Sequence, residues 1–223
     1  MMDTYLIEWL IIGAIAAFVV LAFGCFLFFF AKYRKSEAKT KIQVAFLIFF
    51  ICWGITRAIQ LYFDHLLGLI DPGAVINSNL IWKISFSFLM GGFGSVIFAS
   101  ENAVFNGKDY YALLIGFMVV FSIGLLYPDV VLAQTFMVFA MFFALIIPIS
   151  YFYLAYKYPL SRRNITIMFV GFAIFCVGVL MLFSTFVNIF PTAKDLIYLS
   201  SAVIQLVGFG IFAIGVKRMY FAR

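Results

Sequence analysis

The sequence predicts an all-α membrane protein: a single bundle of seven transmembrane helices taking up residues 1–223, with no soluble domain left over. Three observations predict it. Hydrophobic residues make up 66% of the chain and charged residues 11%, whereas a soluble domain averages about 25% charged. The apolar residues fall into seven stretches, each near the roughly 20 residues that cross a hydrocarbon core. The basic residues concentrate at alternate breaks between those stretches. With 31 Phe, 12 Tyr and 3 Trp, the composition is also the opposite of a solvated, disordered chain.

Each span has a recognisable start or stop. The first covers 6–31. Its start is acidic, with Asp3 and Glu8, its apolar run is long, and the basic cluster Lys32, Arg34, Lys35, Lys39 and Lys41 follows it. That order fits a signal anchor with a translocated N-terminus rather than a cleaved signal peptide. The second span, 42–66, ends at the polar turns Asp71-Pro72-Gly73 and Asn77-Ser78-Asn79. The third, 80–100, stops before Glu101–Asp109, which holds Asn106-Gly107. Tyr127-Pro128-Asp129 separates the fourth, 110–127, from the fifth, 130–156. Pro159 and two arginines precede the sixth, 164–188, and Pro191 precedes the seventh, 195–218. Such short connectors set neighbouring helices antiparallel.

Twelve of the fifteen basic residues fall on one side of this arrangement. By the positive-inside rule the N-terminus is expected outside and the C-terminus in the cytoplasm, in a multi-pass plasma-membrane protein whose first partner is the lipid bilayer. The net charge of +6 does not indicate nucleic acid, because the cations line membrane edges instead of forming one stripe.

The residue inventory narrows the chemistry. His65 is the only histidine, so bis-His haem ligation and multi-His zinc sites are not expected. There is no HExxH, GxSxG or P-loop pattern. Cys25, Cys52 and Cys176 lie inside spans without a CxxC, which suits packing rather than redox chemistry. The expectation is a protein that is not an enzyme, with no catalytic residue, metal or cofactor. The stretch Val207-Gly208-Phe209-Gly210 resembles part of the seventh helix of microbial rhodopsins. A retinal Schiff base needs a lysine mid-helix, however, and Ile204-Gln205-Leu206 stands there.

Polar groups inside a membrane are costly, so their placement is informative. Arg57 lies deep in the second span, followed by Gln60 at i+3 and Asp64 at i+7, with Trp53 one turn before. In an α-helix these share one face. Lys83 with Ser85 and Ser87, Gln134 and Thr135, Ser184, Thr185 and Asn188, and Ser200, Ser201 and Gln205 lie at a similar depth in other spans. Converging, they would line an outward-facing crevice of positive character. Arg57, Gln60, Asp64, Lys83, Asn188 and Gln205 are the candidate ligand-binding residues, for a small anionic or zwitterionic ligand. The alternative is that the same groups only bond helices to one another.

Small residues form a second pattern. Gly91, Ser95 and Ala99 recur on the third span, Gly171 and Gly178 on the sixth, and Gly208 and Gly215 on the seventh. They predict close backbone approach and a compact bundle with the third helix central.

The topology, the bare loops, Glu101 and the Arg162-Arg163 flank are similar to the seven-helix sensor modules that precede histidine kinases in prokaryotes. The resemblance implies ligand sensing from outside and a change of helix packing. Those modules carry a cytoplasmic output domain, whereas this chain ends five residues after Arg218. The signal is therefore expected to pass through cytoplasmic loops to a separate signalling partner. A small transporter or channel, an accessory subunit and a homo-oligomer stay open as alternatives.

Overall fold

The computed structural model describes residues 4–37, 39–67, 78–105, 111–127, 136, 139–140, 143–144, 146–182, 187 and 189–221. The regular elements among them are all helical: α1 Thr4–Lys35, α2 Lys41–Gln60, α3 Ser78–Phe105, α4 Ala112–Leu126, α5 Ile146–Lys157, α6 Arg162–Leu180 and α7 Lys194–Tyr220. A wide π turn, Leu61–Leu66, continues α2, and 3-10 turns at Pro159–Ser161 and Pro191–Ala193 lead into α6 and α7. Proline suits such helix starts, where its missing N–H would have no partner anyway.

Five helical segments are long and apolar enough to cross a membrane: Leu6–Lys35, Lys41–Leu66, Asn79–Phe105, Pro159–Leu180 and Lys194–Tyr220. α4 is a shorter apolar helix of 15 residues. For the predicted fifth span, continuous described helix covers Ile146–Lys157 only. Large apolar side chains such as Val20, Leu126 and Phe152 stand on the outer surface. An apolar exterior of this kind is compatible with a membrane protein.

The tightest seam joins α6 to α7. A Cβ on Gly171 would stand 2.8 Å from the Phe212 Cα, and one on Gly208 would stand 2.7 Å from the Phe175 Cα. Gly178 and Gly215 repeat the approach against Gln205 and Met168. These four glycines remove the side-chain layer between the two backbones, which is how helices gain contact without a hydrophobic drive in lipid. The glycine spacing in the sequence is thus realised on these two helices.

The centre is aromatic. Phe18 of α1, Phe49, Phe50 and Trp53 of α2, Phe93 of α3, Phe172 and Phe175 of α6, and Phe209 and Phe212 of α7 are all fully enclosed. Their rings meet at centroid distances such as 4.5 Å for Trp53–Phe175 and 4.6 Å for Phe18–Phe209. Tilted and edge-on aromatic pairs each add about 0.5–1.5 kcal/mol beyond area burial. Among the five long helices α2, not α3, is the most enclosed. It packs against both α1 and α3 while its aromatic residues also meet α6 and α7. The small residues of α3 serve this arrangement, since a Cβ on Gly92 would stand 2.9 Å from the Trp53 indole.

α2 and α3 run antiparallel: the Thr56 hydroxyl donates to the Ser85 carbonyl at 3.2 Å and to the Cys52 carbonyl at 2.9 Å. At the start of α2, Thr40 and Gln43 form a capping box. The Gln43 amide also donates to the Tyr220 carbonyl at 2.8 Å, tying the start of α2 to the end of α7. At the same end of the bundle, Glu101 is 1% exposed, and its carboxylate accepts from the Leu113 and Leu114 N–H groups at 2.8 and 3.3 Å. It therefore caps the first turn of α4 from across the loop, where negative charge is favoured. The Tyr111 that precedes this turn has φ 58°, a left-handed conformation.

Candidate functional site

The site lies at the opposite end of the bundle from Glu101. The last turns of α2 and α6 meet there with the first turns of α1, α3 and α7. Arg57 is its centre. The side chain is only 5% exposed. Its guanidinium lies 5.6 Å from the Phe18 ring centroid and 5.8 Å from that of Trp53, in cation–π contact with both. One η nitrogen donates to the Gln60 Oε1 at 2.6 Å. A guanidinium carries five N–H donors. Among the described residues, no carboxylate comes within the 4.0 Å of an ion pair with Arg57.

The i+3 relation of Arg57 and Gln60 is therefore realised as a direct bond. The i+7 relation with Asp64 is not. In an α-helix the two would stack on one face, but Asp64 belongs to the π turn Leu61–Leu66. A π turn holds more residues than an α turn, so the register beyond Gln60 falls behind. Asp64 is exposed and lies beyond ion-pair distance of the arginine, yet close enough to act on it electrostatically. Single π turns of this kind recur at functional sites.

A cavity of about 400 Å³ opens beside these residues, and Arg57, Gln60, Asp64, His65, Trp82, Tyr198 and Ser201 are among its lining. Ligand pockets typically measure about 300–1,000 Å³. A smaller recess of about 100 Å³ shares Arg57, Gln60, Trp82 and Leu182 with it and adds Phe86, Leu89 and Val179. The two spaces thus meet at the arginine, one with polar groups and one with an apolar wall.

The other candidate residues have different placements. Lys83 donates to the Tyr127 carbonyl at 2.7 Å, so it ties α3 to the C-terminal end of α4 and is not among the cavity's lining. A cation there suits the carbonyl-bearing end of a helix. Gln205 is fully buried in the α6–α7 seam. Its amide donates to the Gly178 carbonyl at 2.9 Å and to the Ser201 hydroxyl at 2.8 Å, and Ser201 donates to the same carbonyl at 2.7 Å. This is helix-to-helix bonding, one residue removed from the cavity through Ser201. Asn188, and with it Gln134, Thr135, Ser184 and Thr185, lies outside the described residues.

Sequence reasoning did not single out the apolar half of the lining. Ile11, Ile15, Leu182 and Ala202 border the cavity, yet they are ordinary span residues whose facing direction only helix rotation decides. Trp82 carried a usable signal, since an indole beside Lys83 at a span start has an amphipathic role available. Among the described residues, no three His, Cys, Asp or Glu side chains gather as a metal site would require.

No protein-family model matches the chain, and neither a curated protein nor a solved structure is detectably similar to it.

Proposed function

We propose that this chain is a seven-helix membrane sensor that binds a small anionic or zwitterionic ligand at Arg57. One observation carries the reading: a buried guanidinium with one side-chain hydrogen bond among the described residues, set beside a cavity of about 400 Å³. An uncompensated buried charge costs several kcal/mol. A ligand anion that supplied the missing bonds would recover much of that cost. In this reading the N-terminus and the cavity face outward, the C-terminus faces the cytoplasm, and the protein resides in the plasma membrane.

Sensing is favoured over transport by what lies under the arginine. The enclosed rings of Phe18, Phe49, Trp53, Phe175 and Phe209 pack directly between the cavity end and the Glu101 end. A solute leaving Arg57 inward would meet this aromatic plug. A bound anion would instead draw on Arg57, which touches Phe18 of α1 and Trp53 of its own helix. Moving those rings changes how α1, α2, α6 and α7 pack. That change is the message offered at the cytoplasmic loops to a separate partner. It follows only if the ligand binds the two packings with different affinity.

The test is a thermal-shift screen of purified full-length chain against small carboxylates, phosphate and amino acids, with Arg57→Leu alongside. The expected result is a rise in Tm for at least one anion in the parent and none in the variant, since a ligand of the folded state must stabilise it. A screen without any Arg57-dependent shift removes the reading.

A further inference from the structure

We infer that the ligand is an α-amino acid with a short apolar side chain, an assignment that rests on the anion site proposed above. Three features of the pocket specify three parts of one molecule. Among the described residues Arg57 spends one N–H donor, on Gln60, and the rest of its planar fork matches a carboxylate. Asp64 lines the same cavity as Arg57 beyond the 4.0 Å of an ion pair, so the cavity presents both charges to one ligand. An ammonium on the carbon next to the carboxylate meets Asp64 as its counter-charge. A ligand with only negative charge would instead be repelled by Asp64.

The third part is the recess. Trp82, Phe86, Leu89, Val179 and Leu182 line a half-open recess of about 100 Å³ beside Arg57 and Gln60. That is on the order of a few water volumes of about 30 Å³ each. It accommodates a short branched aliphatic chain. Apolar walls with a few convergent polar groups are the usual composition of a small-molecule site. Gln60 stands where the two spaces meet, its Oε1 held by Arg57 and its amide nitrogen without a partner among the described residues, in reach of a second ligand oxygen. The π turn supports the same assignment. If α2 ran on as a regular α-helix, Asp64 would stack toward Arg57 and neutralise it; the wide turn keeps the two charges apart.

The experiment measures binding to the full chain in nanodiscs for four probes: L-leucine, 4-methylpentanoate, 3-methylbutylamine and glycine. Leucine is expected to bind, with each of the other three at least tenfold weaker. Asp64→Asn is expected to weaken leucine about tenfold and to leave or improve 4-methylpentanoate. Equal binding of leucine and 4-methylpentanoate, both abolished by Arg57→Leu, would overturn the amino-acid assignment while the anion site stands. The same holds if leucine fails and another anion binds through Arg57. Loss of Arg57-dependent binding for every probe and every anion overturns both.

Discussion

Two buried charges sit at opposite ends of this bundle, and they are treated differently. Glu101 is 1% exposed and receives two backbone N–H groups at the start of α4. Arg57 is 5% exposed and, among the described residues, donates to one side chain, Gln60, and lies against two aromatic faces. The acid completes a helix terminus whose orphan donors need an acceptor. The base completes no helix terminus among the described residues and borders a cavity. A buried charge that satisfies the fold belongs to the fold; one that the fold leaves under-satisfied is available to something else.

The comparison breaks most visibly on truncation. Glu101→Leu strips the first turn of α4 of its cap and is expected to cost about 2–4 kcal/mol in denaturant unfolding from detergent. Glu101→Gln, which keeps an acceptor oxygen, should lose much less. Arg57→Leu should shift the other way, neutral to about 2 kcal/mol more stable, because it removes a charge that is expensive to bury. Equal destabilisation by both leucine variants would erase the distinction between the two ends.

A smaller effect sharpens the boundary of the site. Gln205→Leu loses bonds to the Gly178 carbonyl and Ser201 hydroxyl but also removes a buried Oε1 that has no partner. The expected net cost is about 1 kcal/mol. Ligand affinity should stay within about twofold of the parent if Gln205 acts as helix glue; a tenfold loss would place it in the site. The smallest effect belongs to Lys83→Ala. Its bond to the Tyr127 carbonyl is exposed, so the expected change in stability is under about 0.5 kcal/mol. Binding of anions should be unchanged, and a large loss would restore Lys83 to the cavity.

The candidate site was half legible in advance. Arg57 and Gln60 were readable because i+3 spacing within one helix does not depend on any neighbour. Asp64 was readable as a neighbour and not as an unpaired one, since the π turn that separates it has no signature in the sequence. For Lys83 and Gln205 the sequence offers a position along a helix, which carries no information on azimuth. Their partners, the Tyr127 carbonyl and the Gly178 carbonyl, lie on other helices. Glu101 stood out as a carboxylate at a span end, yet its role required knowing that α4 begins beside it.

From sequence alone it follows that the chain is helical and apolar, with helices long enough to cross a membrane, because hydropathy and helix periodicity are sums over neighbours along the chain. The same holds for where backbones would approach closely, because glycine is the one residue without a side chain to hold them apart. The tertiary structure alone decided that α2 occupies the centre, that Glu101 is spent on a cap and that Arg57 is left beside a cavity. Those outcomes depend on how each helix rotates about its axis. Rotation is set by side-chain packing between helices distant in sequence, as in the aromatic cluster where α1, α2, α6 and α7 meet.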